Sequence, residues 1–196
     1  MKRLFAPCVL ALALSGLPSV ARADIILFTA TLTGGGEVPP NGSPGTGFAI
    51  VSLNGDFLTV NVSFSGLVST TTASHIHCCA PPGTNASVAT TVPTFPGFPL
   101  GVMFGTYLQT LDLNAAGSYN PAFITANGGT VAGAKASLVG GLLAGQTYLN
   151  IHTTANPGGE IRGQLVATPE PNTMVVLSTG LLGMATVLRK RKRRVS

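Results

Sequence analysis

Residues 48–64 read FAIVSLNGDFLTVNVSF. The second half alternates without a break: Leu58, Val60, Val62 and Phe64 are apolar, while Thr59, Asn61 and Ser63 are polar. Successive side chains of a strand point to opposite faces, so this period of two sends one face to a core and the other to water. Between segments 48–53 and 57–64 stands Asn54-Gly55-Asp56, and an Asn-Gly pair adopts positive φ at low cost. Two alternating runs around such a pair predict an antiparallel β-hairpin.

The same signs continue outward. Residues 25–33 form a β-branched and aromatic run that Gly34-Gly35-Gly36 interrupts, and Pro39-Pro40-Asn41-Gly42 supplies turn chemistry. Segments 73–77, 87–91, 106–113, 147–153 and 160–166 also read as strands. Residues 81–101 read as a loop, with prolines at 81, 82, 93, 96 and 99. The Ala- and Leu-rich stretch 131–143 is the one expected short helix, weakened by its glycines. Charged residues make up only 9% of the chain, too few for the polar faces of a helical bundle. Many short strands with Gly/Pro turns predict an all-β fold, a Greek-key-like antiparallel β-sandwich. There is no convincing internal repeat.

The two ends carry different signals. Residues 1–23 place Lys2 and Arg3 before an apolar run at 4–17, then Pro18-Ser19, and close with Ala21-Arg22-Ala23. That layout is a secretory signal peptide, expected to be cut after Ala23 by signal peptidase, and its apolar run falls short of the roughly 20 residues that span a bilayer. A retained anchor is the alternative reading. At residues 169–196, Pro169-Glu170-Pro171 precedes an apolar segment at 174–188 and six consecutive cations at 189–194. Those cations act as a stop-transfer signal and stay on the cytoplasmic side, which makes the apolar segment one transmembrane helix and leaves the domain outside. Three features in this order resemble the PEP-CTERM sorting signal, which implies processing by an exosortase near the motif. An ordinary membrane anchor is the alternative. The expected location is the cell surface or extracellular space of a Gram-negative-type bacterium, after a transient stay in the inner membrane.

Segment 24–168 is then a single domain of 145 residues, long enough for its own core. The chain's formal charge of +5 belongs to its ends. Between Asp24 and Pro171 only Lys135 and Arg162 are cationic, against six acids, a net charge of minus four. A domain without a basic surface has nothing to set against a phosphate backbone, so nucleic acid is excluded as a partner.

The residues that carry chemistry are few. In Ser74-His75-Ile76-His77 the strand period puts both histidines on one face, and His152 follows Tyr148-Leu149-Asn150-Ile151. If the two strands are neighbours, three imidazoles converge, and imidazole is a common ligand for copper and zinc. The alternative is three structural histidines bonded to loop backbone. Glu160 is the carboxylate to test as a further ligand, its other reading being an ion pair with Arg162. After signal cleavage the remaining cysteines are Cys78 and Cys79. They are readable as a vicinal disulfide, a redox pair, thiolates joining the histidines, or a loop pair without a role. The chain contains neither a Gly-x-Ser-x-Gly elbow nor a phosphate-binding loop.

Four motifs in order resemble the CHRD domain: Leu32-Thr33-Gly34-Gly35-Gly36-Glu37-Val38-Pro39-Pro40; the strand pair ending Phe64-Ser65-Gly66-Leu67; His75-Ile76-His77; and Asn150-Ile151-His152-Thr153 with Gly158-Gly159-Glu160-Ile161-Arg162-Gly163-Gln164-Leu165. The resemblance covers roughly residues 25–166 and implies an extracellular β-rich domain without an established activity. Bacterial members usually carry glycine after His-x-His, where this chain has Cys78-Cys79. The His-x-His strand also looks like the copper strand of Cu,Zn superoxide dismutases, but the ligand set is incomplete and that activity is not expected. The expectation is a non-enzymatic structural or interaction domain, its partner an extracellular polysaccharide or matrix protein. Sparse aromatics and the absence of Trp weigh against sugar stacking. The rival is a copper- or zinc-binding or redox protein using His75, His77 and His152.

Overall fold

The computed structural model describes residues 25–168. Its strands are β1 (Ile26–Thr33), β2 (Thr46–Asn54), β3 (Phe57–Ser65), β4 (Thr71–Cys78), β5 (Ser87–Val88), β6 (Gly105–Asp112), β7 (Thr147–Thr153), β8 (Ile161–Gln164) and β9 (Val166–Ala167), with helices α1 (Pro121–Ala126) and α2 (Val131–Leu143). The hairpin forms where the alternation places it. β2 and β3 pair from Asn54↔Phe57 to Thr46↔Ser65, and Gly55 takes φ of 56° at the turn, a value that suits glycine. Leu58, Val60, Val62 and Phe64 are buried, with the intervening residues toward solvent.

Every strand pairing is antiparallel, in the order β5-β4-β7-β8-β1-β2-β3-β6, with β9 also on β1. The all-β antiparallel class therefore holds, but the two separate layers of a sandwich do not. The stretch expected as one strand over 160–166 divides at Leu165. Before it, β8 pairs with β7 and meets β1 at Thr33↔Arg162; after it, β9 pairs with β1 at Phe28↔Ala167. This splice joins both halves into one curled sheet. Its concave face holds one core, in which Leu32, Val51 and Val60 share a cluster with Ile76, Leu149 and Ile151. Each fully buried aliphatic side chain contributes about 2 kcal/mol.

Helix α2 spans the expected residues and packs on β4, β7 and β9, sending Ala134, Leu138 and Leu142 into the core. Thr130 caps it, accepting from the Gly133 N–H, and Lys135 on its outer side pairs with Asp56 of the hairpin turn. Helix α1 was not expected, although Asn120-Pro121 is a start signal: the Asn120 side chain accepts from the Ala122 N–H and Pro121 opens the first turn. Segment 87–91 pairs as a strand only at β5, with an isolated bridge between Thr90 and Tyr119.

The β1–β8 junction is tight. A methyl group on Gly163 would run into the Thr31 carbonyl of β1, a backbone atom that cannot swing aside. Gly163→Ala should therefore cost about 2 kcal/mol and lower the melting temperature by roughly 4–8 °C. An unchanged thermal melt would show that the two strands have room to part.

Among the described residues no helix is long and apolar enough to cross a membrane. The expected signal peptide at 1–23, its cleavage point before Asp24, and the sorting segment at 169–196 with Pro169-Glu170-Pro171 lie outside the described residues.

Candidate metal centre

β4 and β7 are neighbours, with His75 opposite Asn150, His77 opposite Tyr148 and Ala73 opposite His152. β8 extends the rows with Arg162 opposite Asn150 and Gln164 opposite Tyr148. Strand alternation puts Ile76, Leu149, Ile151 and Ile161 into the core and His75, His77, Tyr148, Asn150, His152 and Arg162 on the reverse face. That face is buried too. The loops around residues 36–38, 85–93 and 157–159 cover it, which is why every residue of β7 is buried.

Each imidazole meets one backbone carbonyl: His75 Nε2 to Pro93 O at 2.7 Å, His77 Nδ1 to Ala86 O at 2.9 Å, and His152 Nδ1 to Pro157 O at 2.9 Å. A carbonyl only accepts, so those nitrogens carry the ring protons. The other three, His75 Nδ1, His77 Nε2 and His152 Nε2, are buried and without a partner. Burial pushes the His75 and His77 pKa values down to about 4 and lowers that of His152, the carbonyl bonds opposing only in part. At neutral pH the three free nitrogens are therefore bare lone pairs. One ligand atom from each ring lies within 4.8 Å of the others. Ligating histidines commonly have their second nitrogen held in this way, which sets the tautomer and the ring orientation.

Around the rings stands a second layer. Tyr148 stacks on His77 with centroids 4.7 Å apart, and the Arg162 guanidinium lies 4.4 Å from the centre of the Tyr148 ring. Arg162 donates to Gly36 O at 2.6 Å and to Asn85 Oδ1 at 2.8 Å. Its Nε is 3.9 Å from Glu37 Oε2. Burial pushes the Glu37 carboxyl up to about 7, against the opposing influence of Arg162 and Asn150. Gly159, at φ of 133°, lets its backbone lie against Asn150 and Glu37 where a Cβ would collide with both. Six buried side-chain polar atoms lack a partner among the described residues. Five belong to this cluster: the three histidine nitrogens, Asn150 Oδ1 and Glu37 Oε1. Native structures rarely leave such atoms orphaned, so their concentration marks a site. A depression of about 280 Å³, lined by Glu37, Pro39, Pro157 and Gly159 among others, opens above it. A larger one of about 730 Å³ lies elsewhere, at Phe48, Phe64 and Phe104, and is lined by no ionisable group.

One sequence expectation needs correction, and one set of alternatives is resolved. Glu160 joins neither the histidines nor Arg162. It precedes β8, so the strand period does not govern its direction. Its carboxylate accepts from Ser43 Oγ at 2.6 Å, Val68 N at 2.7 Å and Thr153 Oγ1 at 2.6 Å, and Arg162 instead faces Glu37. Cys78 and Cys79 form a disulfide. Alternation turns Cys78 away from His77 toward α2, where the two sulfurs lie 3.7 and 3.4 Å from Ser137 O, so they offer the histidines no thiolate. Sequence reasoning passed over Tyr148 and Asn150, although both alternate with His152 along one strand, and it did not connect Glu37 with the site. The three loop carbonyls have no side-chain signature by which to find them.

Fold and site together define the class: an all-β domain with a buried three-imidazole face. The chain belongs to the CHRD domain family, whose model matches residues 28–165. No curated protein and no solved structure matches the chain.

Proposed function

We propose that the chain is an exported metal-binding protein of the cell surface or extracellular matrix, in which His75, His77 and His152 hold one copper or zinc ion. The observation that carries this reading is the set of three buried imidazoles, each with one unpartnered nitrogen, each offering a ligand atom within 4.8 Å of the others and each fixed from behind by a carbonyl. A set of structural histidines would have no reason to leave all three lone pairs unmet inside the protein. The ion serves binding rather than catalysis in this reading. Support for export comes from the signal-like residues 1–23 and from Pro169-Glu170-Pro171 with its apolar and basic sequel, which an exosortase would process. A disulfide such as Cys78–Cys79 suits an oxidising compartment.

A second reading, an interaction module for a polysaccharide or matrix protein, draws on a different face. Phe48, Ile50 and Leu108 are exposed on the outer side of β2 and β6, among threonines and serines, with Asp112 the charged residue of β6 on that side.

The deciding measurement is elemental analysis of protein exported to the periplasm and purified without a histidine tag, beside the His75→Ala/His77→Ala double variant. Circular dichroism of both confirms the fold. Near-stoichiometric copper or zinc that is lost in the variant is the expected result. A metal-free protein that also refuses added copper and zinc would leave the interaction reading in its place.

A further inference from the structure

We infer that the three-histidine centre is built for copper in the cuprous state, in preference to cupric copper and to zinc. This rests on the metal-binding reading above and narrows it to one ion. The first ground is charge. All three ligands are neutral imidazoles, Glu37 faces Arg162, and the other groups that would bring a negative charge are committed elsewhere. Glu160 is held by Ser43, Val68 and Thr153, and both cysteines are spent in the disulfide. The ion's whole charge is then left to the surroundings. Those surroundings are dry: His75, His77 and His152 are 6%, 7% and 9% exposed. The cost of placing an ion in a low-dielectric interior grows with the square of its charge, so a divalent ion meets about four times the penalty of a monovalent one.

The second ground is the fixed cation already present. Arg162 is stacked on Tyr148, which is stacked on His77, and a guanidinium stays protonated at any relevant pH. Glu37 stands beside it, so the pair together brings no net negative charge to offset that of a metal ion. Asn150 Oδ1, the neighbouring unpartnered oxygen, is a neutral donor. The third ground is coordination number. Zinc held by three imidazoles completes its four ligands with a water and cupric sites favour tetragonal surroundings, whereas three nitrogens converging in a buried site suit an ion that is content with three ligands.

The test is a set of affinities on the purified protein: cuprous ion by anaerobic competition with bicinchoninate, cupric ion and zinc by competition with chromophoric chelators in the same buffer. Cuprous ion is expected to bind at least 100-fold more tightly than cupric ion, which raises the copper potential by about 120 mV over the aqueous couple. An equimolar addition of zinc should leave bound cuprous ion in place. Arg162→Met should narrow the cuprous preference, whereas Arg162→Lys, which keeps the charge, should retain most of it. If no ion of the three binds, the metal-binding reading itself falls. If zinc or cupric ion binds as tightly as cuprous ion, that reading stands and the cuprous assignment is overturned.

Discussion

Glu160→Ala should remove roughly 3–5 kcal/mol of stability, enough to leave a large fraction of the domain unfolded at 37 °C, because native domains hold only about 5–15 kcal/mol in reserve. The side chain is 0% exposed and accepts three hydrogen bonds from three separate parts of the chain: Ser43 before β2, the Val68 amide after β3, and Thr153 at the end of β7. Truncation buries all three donors without an acceptor, each costing about 1–3 kcal/mol before the hydroxyls turn to other partners. The Val68 amide has no such freedom. Glu160→Gln keeps the volume and one acceptor oxygen but turns an NH2 toward a donor, so it should lose about half as much. Urea unfolding of the three proteins measures this, and an alanine variant within 1 kcal/mol of the parent would show that the carboxylate is dispensable. Burial pushes the Glu160 pKa up, yet the hydrogen bonds from Ser43, Thr153 and Val68 outweigh it and the net shift is downward. Its contribution is therefore present above the ordinary carboxylate range and is lost only as pH falls through the lowered folded value.

The second large effect is acid instability of the metal-free protein in a window set by the histidines. His75 and His77 titrate near 4 when folded and near 6.5 when unfolded, so between those values the unfolded chain binds two more protons and stability falls with falling pH. His152 is shifted in the same direction and adds to the loss. Glu37 works the other way: raised to about 7, it holds a proton in the folded state that the unfolded chain releases down to about 4.5. Two or more protons against one leaves a net loss of at least about 1.4 kcal/mol per pH unit, or roughly 2 kcal/mol from pH 6 to 4.5. In the His75→Ala/His77→Ala variant only His152 opposes Glu37, and the profile should be nearly flat. Bound metal should add about 2.7 kcal/mol at a hundredfold excess over its dissociation constant, fading as protons compete for the rings. Urea midpoints from pH 7.5 to 4.5, with chelator and with metal, test all three statements. A metal-free parent whose stability is level or rises on acidification would contradict the neutral, lone-pair state of the histidines.

The sequence by itself determined what short-range periodicity can determine. Alternation at 57–64 and the Asn54-Gly55 turn specified β3 and its hairpin, 147–153 specified β7, and 131–143 specified α2. The same period of two put His75 and His77 on one face, and the ordered motifs pointed to the CHRD family that the matching model confirms. Tertiary structure decided the rest, because each remaining point turns on contacts between distant residues. Whether two sheets or one formed depended on β8 pairing with β7 on one side and with β1 on the other, at Thr33↔Arg162, 129 residues apart. Glu160 left the expected site because donors at 43, 68 and 153 outcompete Arg162 for it, and Arg162 found Glu37 in the opening turn. Three ordinary histidines became a candidate metal centre only when the carbonyls of Ala86, Pro93 and Pro157 claimed one nitrogen of each ring. Every residue offers a backbone carbonyl, so the sequence does not single these three out; the fold does, by bringing their loops over the strands.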